Sequence, residues 1–226
     1  MLNKIKIGDK SIHLESNVYL LEINKPLDLE INIDKNNDTK LVITAFNNYN
    51  LKININDNAN LIVNSLNIDN SSNIEINLYN KATITYNHSV SSKIDSINNF
   101  KINHLESNSQ SFITNNGVNL SNNKLFFEIN GIVPKKLNNI ICNQSSKIIN
   151  FNNGNSKIIP NLVIDSNDII ANHSSYIGEI AEDELFYLLS RGINEDKIKD
   201  LIYKAVLLGK MDLKDEKDLF NQIING

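Results

Sequence analysis

Between Lys4 and Asn172, apolar and polar residues alternate in short runs, which Asn, Asp, Ser or Gly interrupts about every ten residues. Leu29-Glu30-Ile31-Asn32-Ile33, Leu51-Lys52-Ile53-Asn54-Ile55 and Ile74-Glu75-Ile76-Asn77-Leu78 carry the pattern. A period of two turns Ile and Leu to a buried face and sends Asn, Lys and Glu to the other, so these runs are strands. No stretch before residue 181 combines a 3.6-residue period with a cap, and the region reads as all-β. Strands at this spacing suit an antiparallel sandwich or barrel, and they equally suit a solenoid whose coils stack around an aliphatic column. Asn at the turns favours the solenoid, because Asn tolerates left-handed backbone and can bond from coil to coil. Scarcity of Pro (three) and Gly (eight) argues against many tight hairpins, although Asn116-Gly117 and Asn130-Gly131 supply the hairpin dipeptide. The lack of a strict sequence period counts the other way.

Composition changes near residue 181, where the chain divides into a β core (1–180) and a helical segment (181–226). Forty of the 43 Asn precede that point. The 36 Ile make the chain equally unusual, and this bias is read as compositional rather than as a sign of function. Glu182-Asp183-Glu184 opens a helical run that Ser190-Arg191-Gly192 closes, acid first and Gly last. Asn194 caps a second helix with Ile198, Leu201, Ile202, Ala205 and Leu208 on one stripe, and a third is predicted from about Lys214 to Ile224. Helices this short cannot make a core of their own and must pack on the β part or on a partner.

A net charge of -4 gives no reason to expect nucleic acid or an anionic membrane as partner. One cysteine excludes a disulfide framework and any self-contained thiolate metal site, which predicts a cytoplasmic protein. The apolar runs fall far short of the roughly 20 residues that span a bilayer. Met1 to Asp9 lacks the apolar centre of a signal peptide.

Of the four histidines, His13 is expected at the surface. His88 and His104, 16 residues apart, are placed to align on adjacent coils, with hydrogen-bonded structural roles favoured over metal binding. Cys142, at the end of an apolar run without a neighbouring cation, reads as a small buried hydrophobe. The chain has no phosphate loop, no dinucleotide fingerprint, no G-x-S-x-G turn and no His-Glu-x-x-His, so nothing positive points to an enzyme.

One stretch carries a resemblance. Pro160 to Asp168, then Ala171-Asn172-His173-Ser174 and Gly178-Glu179-Ile180, run into Glu182-Asp183-Glu184-Leu185-Phe186-Tyr187-Leu188-Leu189-Ser190-Arg191-Gly192-Ile193. This resembles the C-terminal region of the SufB/SufD family, scaffold subunits of the SUF iron–sulfur cluster assembly machine. Phe126 to Val133 and Asn143 to Lys147 extend the similarity, which covers about residues 80 to 208. The resemblance implies a right-handed parallel β-helix followed by a small helical segment, and so decides for the solenoid. It also implies that the helices dock a SufC-type ABC ATPase, with Phe186, Tyr187, Leu188 and Arg191 as the docking residues. For Phe186, ordinary packing on the last coil is the stronger expectation.

The departures matter. Ala171 stands where the family has a cysteine two residues before the histidine, Ser174-Ser175 replace Gly-Ala, and Lys147 to Ile159 contains no cysteine. The Tyr-Leu and Ser-Arg-Gly-Ile elements look more SufD-like than SufB-like, and the family's N-terminal helical domain has no counterpart. His173 matches the SufD-type histidine at the subunit interface. One imidazole cannot hold a cluster for which about four ligands are usual, so a cluster is expected only transiently, at an interface with a SufB-like chain or a second copy. The resemblance thus implies a non-catalytic scaffold. The alternatives are a stand-alone β-solenoid binding carbohydrate or another surface ligand, and a hydrolase with carboxylates assembled on its surface.

Overall fold

The computed structural model describes residues 2–6, 8–209 and 214–225. Strands alternate between two sheets. Sheet A takes β1 (Asn3–Lys4), β3 (Val18–Ile23), β5 (Asp38–Ala45), β7 (Asn60–Ile68), β9 (Thr83–Ser92), β11 (Gln110–Asn119), β13 (Asn138–Asn150) and β15 (Asp168–Glu179). Sheet B takes β2 (Ser11–Leu14), β4 (Leu27–Ile33), β6 (Tyr49–Ile55), β8 (Ser72–Leu78), β10 (Ser96–His104), β12 (Lys124–Val133) and β14 (Asn155–Ile164). Each strand pairs in parallel with the strand two further along the chain, as in Val18 beside Lys40 and Leu51 beside Ile74. This is a parallel β-helix, and the antiparallel alternative is excluded.

The absence of a sequence period has a structural cause. Asn3 pairs with Tyr19, 16 residues on, Asp38 with Asn60, 22 on, and Gln110 with Ile141, 31 on. The coils widen along the axis, so no single repeat length describes them. Residues on the same face still stack, because register is set by the alternation and not by coil length. Leu21, Ile31, Ile43, Ile53, Leu61, Ile76 and Ile84 are fully buried members of the resulting aliphatic column.

Asn serves this fold twice. Asn36, Asn58, Asn108, Asn139 and Asn153 sit at positive φ at the corners, where their amides ease a conformation that costs most residues about 1–2 kcal/mol. On the outer face of sheet B, Asn54 donates to Asn32, Asn77 to Asn54 and Asn103 to Asn77, each over 2.8 Å. Beside them a charged file alternates in sign, with Lys52 3.2 Å from Glu30 and Lys101 2.9 Å from Glu75.

Three helices follow among the described residues: α1 (Glu182–Ser190), α2 (Glu195–Leu208) and α3 (Lys214–Asn225). Gly192, at φ 81, ends the first, and the Asn194 side chain caps the second by accepting the Lys197 amide over 2.9 Å. α2 lies across β9 and β11. Leu207 and Phe220 meet Leu20, Val42, Leu66 and Val118 in a second apolar cluster on the outer face of sheet A. Polar groups lock the seam. Ser89 donates to the Leu207 carbonyl over 2.7 Å, Tyr203 reaches Ser91 at 2.8 Å, and buried Glu216 pairs with Lys40 at 2.9 Å and accepts from Asn64 at 2.8 Å.

Candidate functional site

β14 and β15 form the last coil, and within the described residues no further coil covers it. Its interior-facing positions follow from register. Ile177 continues the column of Gly117 and Ile148, and Ile164 sits beside Val133. One coil earlier such positions are buried, whereas here Ile164 and Ile177 are exposed, as are Val163, Ile170 (60% exposed) and Tyr176. An apolar rim and two unpaired strand edges therefore meet solvent at this end, a state that proteins usually cover.

His173 lies in the middle of β15, in the interior-facing column of Tyr86, Ile113 and Gln144, yet the imidazole is exposed because that column ends with it. A small groove of about 200 Å³ runs beside it, lined by Ile113, Thr114, Asn143, Gln144 and Asn172 as well as His173. Gln144 is a residue that sequence reasoning missed. It lies in the Asn143–Lys147 stretch that extends the resemblance, but that stretch gave it no role, and only the register Gln144–His173 brings the two side by side.

α1 leads away from this end. Phe186 is 74% exposed and Tyr187 56%, which corrects the expectation that Phe186 packs on the last coil. The docked helices are α2 and α3; α1 touches α2 and leaves its aromatic face free. Arg191 stacks on Tyr187, its guanidinium 5.1 Å from the ring centroid, and Leu188 is half-buried. The four predicted docking residues thus share one helix and its cap, and three of them are exposed.

The other candidates separate from this site. His88 and His104 are not stacked on adjacent coils, since β9 and β10 belong to different sheets. His88 is enclosed by Tyr86, Phe100 and Phe127, with Nδ1 2.8 Å from Ser65 Oγ and Nε2 3.3 Å from Asn98 Oδ1. The Asn98 oxygen only accepts, so Nε2 carries the proton and Nδ1 accepts from Ser65. His104 lies between Ser109 at 2.8 Å and Ser111 at 3.0 Å. Burial brings both histidines down to about 4, so they are neutral structural groups near pH 7. His13 is on the surface, 2.9 Å from Asp34. Cys142 is buried and burial pushes its thiol up, the opposite of a reactive thiolate. In register it lies beside Ala171, one coil below the position where the resembling sequences carry a cysteine. No group of three or more His, Cys, Asp or Glu among the described residues is arranged to hold a metal ion.

A parallel β-helix, an uncovered last coil with a histidine at its centre, and an exposed aromatic helix after it agree with one family comparison. The model of the SUF system FeS cluster assembly SufBD core domain matches residues 82–206. The chain belongs to the SufBD core-domain family. The match starts beside β9 and ends within α2, so it takes in the uncovered coil, His173 and all of α1. It agrees with the span of about 80 to 208 expected from the sequence. The narrower coils β1 to β8 lie outside the match but continue the same two sheets. A search of curated proteins finds no match. The SufBD core places the chain in a family of iron–sulfur assembly scaffolds. No helix among the described residues is long and apolar enough to cross a membrane.

Proposed function

We propose that this chain is a SufD-like, non-catalytic scaffold subunit of a cytoplasmic SUF-type assembly complex. Its uncovered last coil pairs with a SufB-like chain or a second copy, and α1 docks a SufC-type ABC ATPase. The observation that carries the reading is the pairing of two unsatisfied surfaces: bare strand edges around His173 and, adjoining them, the exposed Phe186–Tyr187–Arg191 face. Aromatic residues and Arg are the usual anchors of protein interfaces, and strand edges recruit other strands.

The nascent cluster is the substrate here. His173 supplies one neutral nitrogen, and thiolates from the partner complete a set that one imidazole cannot make. Incomplete ligation by this chain suits release to an acceptor. Nucleotide-driven movement of the ATPase, transmitted through α1, would change the geometry of the interface.

Three measurements test the reading. The chain should co-purify with both partners, and absence of ATPase binding at micromolar concentration would remove the docking role. Tyr187→Ala with Arg191→Ala should weaken that binding, and normal binding by the pair would relocate the interface. His173→Ala should lower iron and sulfide loading of the reconstituted complex while leaving circular dichroism unchanged. Equal loading would take His173 out of the mechanism.

The carbohydrate-binding solenoid has one observation in its favour, a groove of about 700 Å³ on sheet B lined by Asn50, Lys52, Asn73, Glu75 and Lys101. Its polar side chains are largely engaged with one another along the ladders, which leaves fewer for a sugar. Binding on a glycan array would favour this second reading.

A further inference from the structure

Gln144 is almost completely buried, and its side-chain amide is held at one end only. Nε2 donates to the Asn161 carbonyl across the coil over 3.2 Å. Because a carbonyl only accepts, this contact identifies the nitrogen end of the amide and turns Oε1 away from Asn161. The nitrogen lies over Gly131, where a Cβ would stand 2.8 Å from it and 2.7 Å from Cys142 Sγ. A glycine is therefore required at 131 for the amide to adopt this position. Oε1 is shut off from solvent and has no donor within hydrogen-bond distance among the described residues, the His173 imidazole as it stands included. A buried acceptor left in that state costs about 1–3 kcal/mol.

The next coil offers few donors to it. Parallel register places His173 directly beside Gln144, in the same interior-facing column, with strands about 4.8 Å apart. The flanking interior positions are Ala171, which has no polar atom, and Ser175, which stands in register beside Ser146, two residues on from His173. A neutral imidazole has one N–H and one lone pair, and whichever nitrogen donates leaves the other as the ligand. Histidines that bind metals commonly give their second N–H to an oxygen of the protein in this way.

We infer that Gln144 is the positioning residue of His173: when the exposed imidazole turns toward its register neighbour, the Gln144 side-chain oxygen takes the N–H of one imidazole nitrogen and directs the lone pair of the other out of the open end. The inference deepens the reading of His173 as a cluster ligand and rests on it for its purpose, though not for its geometry. It gives the glutamine a role that packing alone does not require. It also explains how an exposed histidine on a bare strand edge can present one nitrogen rather than alternate between two.

The test is nitrogen NMR of the full chain labelled at histidine, at about pH 8 where a free imidazole is neutral. The His173 signals are assigned by their loss in His173→Ala. One tautomer is expected in the native chain, a mixture of both in Gln144→Leu and Gln144→Met, and one again in Gln144→Glu, whose carboxylate restores the acceptor. Ser175→Ala should leave the single tautomer in place. A mixed tautomer in the native chain overturns the inference without any variant, and so does a single tautomer that survives in a folded Gln144→Met. In the reconstituted complex, Gln144→Met should weaken iron loading about tenfold. The two ideas fail separately. Loading indifferent to His173→Ala removes the cluster role but not a tautomer lock, whereas loading that needs His173 with no tautomer change removes Gln144 alone.

Discussion

Asparagine's two duties differ in energetic kind, and one of them is testable at a single position. Asn77 sits in the ladder between Asn54 and Asn103, largely buried, so Asn77→Ala strands the Asn54 oxygen and one Asn103 hydrogen. Urea denaturation should show a loss of about 1–2 kcal/mol, against less than about 0.5 for Asn122→Ala at an exposed corner. The corner role was legible in the sequence, since left-handed turns without Gly call for Asn. The ladder partners were not, because they lie 22 to 26 residues apart and the interval changes from coil to coil. The buried histidines make a second prediction. His88 and His104 are held down to about 4, below the ordinary 6.5, so between those values the unfolded chain takes up protons that the folded chain refuses. Their contribution is intact above pH 6.5 and is lost as pH falls toward 4. Urea midpoints should drop over that window, on the order of 2 kcal/mol per histidine, and His104→Gln should remove part of the slope. A flat profile from pH 7 to 4.5 would contradict this account of both side chains.

Elements add what residues cannot. α2 follows from its cap and stripe and α3 from its apolar residues, and the sequence placed their starts well, at Asn194 and Lys214. What it left open was which helix packs inward. The decisive contact is Glu216, fully buried on α3, between Lys40 of β5 and Asn64 of β7. Glu216→Ala leaves Lys40 facing an apolar seam without its counter-charge, and removing one member of a buried pair costs about 3 kcal/mol or more. Hydrogen exchange in residues 214–225 should rise sharply while the strands of sheet B stay protected. Equal exchange in Glu216→Ala and the native chain would mean that Phe220 and its neighbours alone hold α3. With α2 and α3 anchored in this way, α1 is left as the helix whose aromatic residues face outward. An amphipathic pattern read locally could not tell Phe186 from Leu207, because both lie among leucines on a helix.

For the whole molecule, the consequence of widening coils is one broad uncovered end. Replacing Ile170 and Ile177 by Lys should abolish pairing through β15, with light scattering reporting a shift to monomer under conditions where the native chain associates. Because both side chains are already exposed, thermal stability of the monomer should change little, by less than about 1 kcal/mol. Persisting association would place the interface elsewhere on the surface.

Alternation and turn chemistry in the sequence determined the strands, the helices and the cores of both, since each depends on neighbours within a few residues. The motif from Pro160 to Ile193 further identified the family. Only the tertiary structure decided that the helices fold back on sheet A, that His88 and His104 are sealed in separate places, and that Gln144 lies beside His173. These are contacts across intervals of 29 to 152 residues or between different sheets, set by how coils of unequal length come into register. No local pattern records such an interval, because the chain specifies it only through the joint packing of every coil beneath.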